Sequence, residues 1–434
     1  MDIYDQLLQG VPIPALWPVG FDIPRGEISP ENIPGLIHLL FASHPEADKL
    51  RGASVAVTAG SREISSISLI LRCVVAELRQ RGASPFLIPA MGSHGGATAQ
   101  GQRKVLEHYG ITEASIGCPI RSTMETIILT TTSDGLPVHL DKYAYEADCI
   151  FPIGRIKPHT DFHGKYESGL VKMLAIGCGK QAGAHACHSM GMAKMSESIL
   201  ACAKIILARK TVPFGLAILE DAAHGTFDLE LIPGKDILVR EASLLETARS
   251  LIPRIPFDKV DVLVLEEIGK NISGPGMDPN VTGVSAALGV SAPYIDHIAV
   301  LGLSEQTDHN AAGLGLADVT TKQVFDSIDF EKTYPNCMTS HDLHGIKIPA
   351  VMPSDRNAVR LAIDAAPIKD KVGCRLVWME NTLHPDRFLV SESLVPEVRR
   401  HPKLQLLGQG AVPLFDSQGA LTLRPSQRLY TAGG

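Results

Sequence analysis

Residues 53–110 read ASVAVTAGSREISSISLILRCVVAELRQRGASPFLIPAMGSHGGATAQGQRKVLEHYG, and their punctuation decides the fold class. Ala53–Thr58 is a short β-like run, broken at Gly60-Ser61. Ile64, Ile67, Leu71, Val74, Val75 and Leu78 then recur at helical spacing, up to a stop at Gly82. Phe86–Ala90 is a second short apolar run, broken at Gly92-Ser93-His94-Gly95-Gly96. Thr98 stands where a helix N-cap belongs, and the helix it opens runs through His108 to Gly110. Strand, break and helix in repetition predict parallel strands joined by crossover helices.

The rhythm continues outward. Thr126–Thr130, Cys149–Ile153 and Phe214–Leu219 read as strands, and Met192–Arg209 and Lys235–Leu251 as helices. Pro253–Pro256 is the candidate linker. Beyond it, strands are expected at Val262–Leu265 and Ile298–Leu303, and helices near Thr321–Asp326 and Asp355–Ala366. Residues 10–35, rich in proline, read as an irregular opening segment. The tail carries weak strand signals at Ala411–Phe415 and Leu421–Leu423. The expected architecture is α/β in two domains, each a mainly parallel sheet flanked by helices, with the active site in the crevice between them. The domains are 1–254 and 257–400; the tail 401–434 has no assigned place.

Bulk properties narrow the function. A chain of 434 residues exceeds one ordinary core. A net charge of −7 without a basic stripe argues against nucleic acid. No run of about eighteen apolar residues is present, so no membrane partner is expected. The opening MDIYDQLLQG has acids where a secretory leader needs bases, and the eight cysteines are scattered. Both point to a cytoplasmic protein with reduced thiols.

In open parallel sheets ligands sit past the carboxyl ends of the strands. That rule selects Gly60–Arg62, Gly92–Gly96 and Gly154–Lys172. The last opens the segment Arg155–Met192, RIKPHTDFHGKYESGLVKMLAIGCGKQAGAHACHSMGM. Four of the sixteen histidines, His159, His163, His185 and His188, fall within its span. Gly92 and Gly95 could form a nest for phosphate or simply a tight turn, without the lysine of a P-loop. His94 and His159, on separate strand ends, could form a pair of bases, one for each face of a stereocentre. Lys172 lies inside an apolar run that ends at Gly177. It is either a desolvated amine suited to covalent chemistry or a stem that snorkels out. Arg62 is a candidate carboxylate clamp or a plain helix-start arginine. His185 and His188 could share a metal if helical, and His341 and His344 repeat that spacing. Lys270, after a predicted strand, could face the crevice.

Taken in order, Ser61-Arg62, Gly92-Ser93-His94, Pro158-His159, Lys172 and His188 resemble the nickel-dependent lactate racemase family over about residues 50–300. The resemblance implies a racemase or epimerase of a 2-hydroxy acid, working by proton-coupled hydride transfer. It implies a nickel-pincer nucleotide joined to Lys172, with Gly92, Gly95 and Gly177 lining it and His188 as nickel ligand. His94 and His159 would be the acid/bases and Arg62 the substrate-binding arginine, with Lys270 a possible second substrate contact. Cofactor-synthesis enzymes would be the loading partners. Ala59-Gly60 replace the acid expected before the arginine, and the stretch from His159 to Lys172 is about three residues longer. The expected substrate is therefore a 2-hydroxy acid other than simple lactate. Two other readings stand beside this one: a divalent-metal hydrolase or lyase using the His159–His188 cluster, and a non-catalytic ligand- or cofactor-binding protein.

Overall fold

A computed structural model describes residues 3–61, 64–285, 289–340 and 343–431. The chain forms two compact units, Arg25–Leu251 and a second built from Met1–Pro24 with Ile252–Gly434. The break at Leu251 falls beside the Pro253–Pro256 linker. The first 24 residues, assigned from sequence to the first domain, belong instead to the second unit.

In the Arg25–Leu251 unit, the strand Ser54–Ala59 lies between Ser84–Pro89 and Cys149–Phe151, all parallel. The expected strand 149–153 is split at Pro152, which has no N–H to give a ladder. After it, Ile153–Arg155 pairs with Phe214–Glu220, which in turn pairs antiparallel with Thr226–Pro233. Thr58 closes the seam: its Oγ1 accepts the Ile153 N–H at 2.9 Å and donates to the Ile153 carbonyl at 3.3 Å. Both faces are covered, as a parallel sheet requires. Ile37, Phe41, Leu71, Val74 and Leu78 fill one core. Leu170, Leu174, Ile199, Ile206 and Leu245 fill the other. Helix Ala99–His108 begins where expected, with Thr98 Oγ1 accepting the Gly101 N–H at 3.0 Å.

The second unit holds an eight-stranded sheet. Ala350–Met352, Val319–Thr321, Tyr294–Val300, Lys259–Leu265 and Leu376–Met379 run parallel. Arg387–Ser391, Leu16–Phe21 and Leu404–Leu406 then extend the sheet antiparallel. The segment read as irregular thus contains a strand, Leu16–Phe21. Pro18 inside it argues against a strand locally, and the pairing that makes it one, Leu16 opposite Ser391, comes from the far end of the chain. The tail is placed the same way, by Leu404–Leu406 on this strand; Ala411 and Phe415 make only isolated bridges. Trp378 is fully buried and gives its indole N–H to Glu266 at 2.8 Å. Among the described residues no helix is long and apolar enough to cross a membrane.

The seam makes a direct prediction. Thr58→Val keeps the shape but leaves the buried Ile153 N–H without its acceptor, and should cost about 1–3 kcal/mol in urea unfolding. Thr58→Ser should recover most of that loss.

Candidate active site

Lys172 ends the short helix Leu170–Lys172, and the chain then widens into a π-helical turn, Met173–Gly177. The Cys178 N–H reaches back to the Met173 carbonyl at 2.9 Å. Such wide turns recur at functional sites. This one is wedged against two strand ends. A Cβ at Gly177 would lie 2.7 Å from the Ala90 carbonyl oxygen and 2.9 Å from Met173 Sδ. At Gly92, with φ +57°, it would lie 3.3 Å from Ile176 Cγ2 and 3.5 Å from Ala184 Cβ. A Cβ at Gly60 would come within 3.2 Å of Met173 Cε. Loops after two strands, the turn after Lys172 and the helix Lys180–Ser189 therefore meet at one place. Gly92 and Gly177 are needed there for chain-to-chain approach, and Gly95 for its packing on Gly101 and Gln102.

His94 follows the strand Ser84–Pro89 and has an exposed side chain. Its main chain is fixed. The Gln102 side-chain amide donates to the carbonyls of Gly92 at 2.8 Å and His94 at 3.4 Å. The other end of Gln102 accepts from Lys180 Nζ at 3.1 Å. Lys180 is completely buried; its amine also meets the Pro89 carbonyl and, at 2.9 Å, Asp141 Oδ2. Asp141 Oδ1 caps the next helix through the N–H groups of Tyr143 and Ala144. Burial pushes the Asp141 carboxyl up, against the pull of Lys180. Removing one partner from a buried pair of this kind costs about 3–5 kcal/mol.

His159 is half-buried. Its main-chain N–H bonds Glu167 Oε2 at 2.6 Å, and its ring Nδ1 accepts the Asp161 N–H at 3.1 Å. The ring stacks on Phe162 with centroids 4.3 Å apart and planes 29° from parallel. Lys172 Nζ lies 5.5 Å from the centroid of the same Phe162 ring. Phe162 therefore brings together the predicted base and the predicted tether. Glu167, fully buried, organises the loop around them. Beyond the His159 N–H it accepts from Gly164 N–H at 3.0 Å and Arg249 at 2.6 Å, with His163 Nδ1 at 3.3 Å. Burial pushes its carboxyl up, but these donors outweigh burial and hold it below the usual carboxylate value. His163 is thus part of the Glu167 clamp.

His188 lies in the last turn of Lys180–Ser189, half-buried and one turn beyond Ala184, whose side chain faces Gly92. At four residues' separation the two share a helix face. His185 is exposed. Arg62 lies outside the described residues, as does His341. Residues on both sides of Arg62 are anchored: the Ser61 carbonyl accepts from Tyr109 Oη at 3.0 Å, and the Ser65 N–H reaches Glu220 Oε1 at 2.6 Å. In the second unit, Lys270 turns its amine back onto the Gly274 carbonyl at 2.6 Å, and His344 Nδ1 lies 3.0 Å from Lys347 Nζ. Among the described residues no three His, Cys, Asp or Glu side chains converge as a metal site. Of the four histidines of the His159–His188 cluster, His159 and His163 lie on the loop and His185 and His188 on the helix Lys180–Ser189.

Sequence reasoning missed Phe162, Glu167, Arg249, Lys180 and Gln102. A further omission is Glu241, fully buried below Lys172. Its Oε2 accepts the Val171 N–H at 2.9 Å, and a Cβ at Gly169 would lie 2.5 Å from its Oε1. Burial pushes this carboxyl up to about 8, against the pull of the Val171 and Leu170 N–H groups.

Residues 47–200 match the family model of the lactate racemase N-terminal domain. The structure of the lactate racemase apoprotein from Thermoanaerobacterium thermosaccharolyticum is similar in fold, with a TM-score of 0.54 at 14% identity. That alignment covers 84% of this chain and 98% of the other. No curated protein sequence matches the chain.

Glu241 sets a pH signature. The folded protein keeps this proton up to about 8, whereas the unfolded chain releases it near 4.5. Between those values the native state binds more protons, so its stability falls as pH rises. Glu241→Gln should therefore gain on the wild type in denaturant unfolding between pH 5 and pH 8. A difference that stays constant across that range would contradict the assignment.

Proposed function

We propose, from the match of residues 47–200 to the lactate racemase N-terminal domain, that the chain racemises or epimerises a 2-hydroxy acid. The observation that carries the reading is the shared Phe162 ring, which sets His159 at 4.3 Å and Lys172 Nζ at 5.5 Å. A proton-transfer group and a primary amine meet there beside a π-helical turn.

The residues fit a nickel-pincer nucleotide. Lys172 offers a half-buried amine on an aromatic face for covalent attachment. His188 offers one half-buried imidazole on the helix face that meets Gly92. A single protein imidazole suits a metal whose other donors arrive with the cofactor, and none of the described side chains forms a set of three. When bound, that cofactor would accept a hydride from the substrate carbon and return it. His94 and His159 would take the hydroxyl proton and give it back, one for each stereochemical course. Arg62 would hold the substrate carboxylate in bidentate fashion. Ala59-Gly60, standing where the family carries an acid, supports a substrate other than simple lactate.

Protein made together with cofactor-synthesis enzymes tests the reading. Near-stoichiometric nickel, a mass increase on Lys172 and interconversion of the two stereoisomers with the α-hydrogen retained are expected. An unmodified Lys172 in that setting would overturn it. His188→Ala should lose nickel. His94→Ala should keep nickel and lose at least about 100-fold in turnover.

A further inference from the structure

The ring of His159 is held by a neighbour two residues on, and that neighbour presents two groups of opposite character. The Asp161 main-chain N–H donates to Nδ1 at 3.1 Å. The Asp161 carboxylate stands close by, with Oδ2 3.8 Å from the same nitrogen. A neutral imidazole whose Nδ1 accepts a hydrogen bond carries its hydrogen on Nε2. In that tautomer Nε2 has no lone pair with which to take a proton. To act as base, the ring must carry its hydrogen on Nδ1 instead. To act as acid it must be imidazolium, which also carries a hydrogen on Nδ1. Both working forms need an acceptor at Nδ1, and a main-chain N–H cannot be one.

Among the described residues, other charged groups near the ring have partners of their own. Glu167 accepts the His159 main-chain N–H and is saturated by Gly164, Arg249 and His163. Arg249, from the helix Ile237–Leu251, is directed at Glu167 and the Gly164 carbonyl. Lys172 approaches the Phe162 ring from the neighbouring short helix and can only donate. Stacking on Phe162 fixes the ring plane, and the bond from the Asp161 N–H holds the Nδ1 edge toward Asp161.

We propose that Asp161 is a positioning residue that sets the proton state of His159. Its N–H holds the resting ring with hydrogen on Nε2. When the ring works, it takes a proton from water at Nδ1 and gives the Nε2 hydrogen back to water; the carboxylate then closes on Nδ1 and accepts that hydrogen while Nε2 takes the substrate's hydroxyl proton and later returns it. No net proton is gained or lost over the cycle. This deepens the racemase reading and rests on it, since it assigns His159 a partner for that chemistry.

The test uses the apoprotein and nitrogen NMR of its histidine rings, with His159 assigned by the cross-peak that disappears in His159→Gln. Above its midpoint, wild-type His159 should show hydrogen on Nε2. Hydrogen on Nδ1 would overturn the proposal, whatever the Asp161 variants show. Asp161→Asn and Asp161→Ala should lower the His159 midpoint by about 0.3–1 unit, a small shift because an exposed carboxylate is screened. Asp161→Glu should restore part of it. An unmoved midpoint in both neutral variants would overturn the proposal. In nickel-loaded enzyme, Asp161→Ala should lower kcat and displace the acidic limb of the pH–rate profile, in the direction for which His159 is the base, with KM little changed. A loaded wild type that interconverts no stereoisomers would end the racemase reading while leaving the apoprotein titration to stand. An unmoved titration beside normal interconversion would end only the role of Asp161.

Discussion

The Lys180 amine is buried without any exposure, and the candidate site in the Arg25–Leu251 unit is assembled around it. A buried ammonium must find acceptors or forfeit its charge. Lys180 finds three, and each comes from a different part of the chain: the Pro89 carbonyl at a strand end, Gln102 from the next helix, and Asp141 from the hairpin strand Pro137–Asp141. Gln102 passes the constraint to the carbonyls that flank His94. Lys180 itself begins the helix that carries His188. One desolvated cation thus fixes the loop of a proposed base relative to the helix of a proposed metal ligand.

Buried carboxylates do the equivalent work for the other loops. Glu167 holds the His159 N–H, Glu241 holds the Val171 N–H next to Lys172, and Glu220 holds the Ser65 N–H while pairing with Arg155. Each uses a carboxyl oxygen as acceptor for a backbone donor. Their proton affinities diverge for a physical reason. Glu167 has Arg249 and His163 beside it and is held low. Glu241 has backbone donors alone, and burial drives it up to about 8. The proton transfer proposed for His159 would take place beside one carboxylate that stays charged. The helix of Lys172 rests on another whose charge depends on pH.

The legible part of the fold was the part held together locally. Strands Ser54–Ala59 and Ser84–Pro89 with their helices announced themselves by period and by glycine breaks, and Thr98 capped its helix as read. Leu16–Phe21 was invisible because its partner strand, Arg387–Ser391, lies at the other end of the chain. The split at Pro152 was hidden for a related reason: which strand Ile153 pairs with depends on where Phe214–Glu220 lies.

At the site the division follows the same physics. Residue type and position were enough to mark His94, His159 and Lys172 as candidates, because titratable groups in glycine-broken loops are chemically conspicuous. The residues that aim them were not conspicuous. Phe162 reads as one more apolar residue, and Glu167 and Lys180 as ordinary charges until burial removes their water. A chain written in one dimension specifies which groups can do chemistry and which segments pair with near neighbours. Desolvation and long-range contact exist only once the chain has folded, so only the tertiary structure could decide that His159 and Lys172 share one aromatic ring.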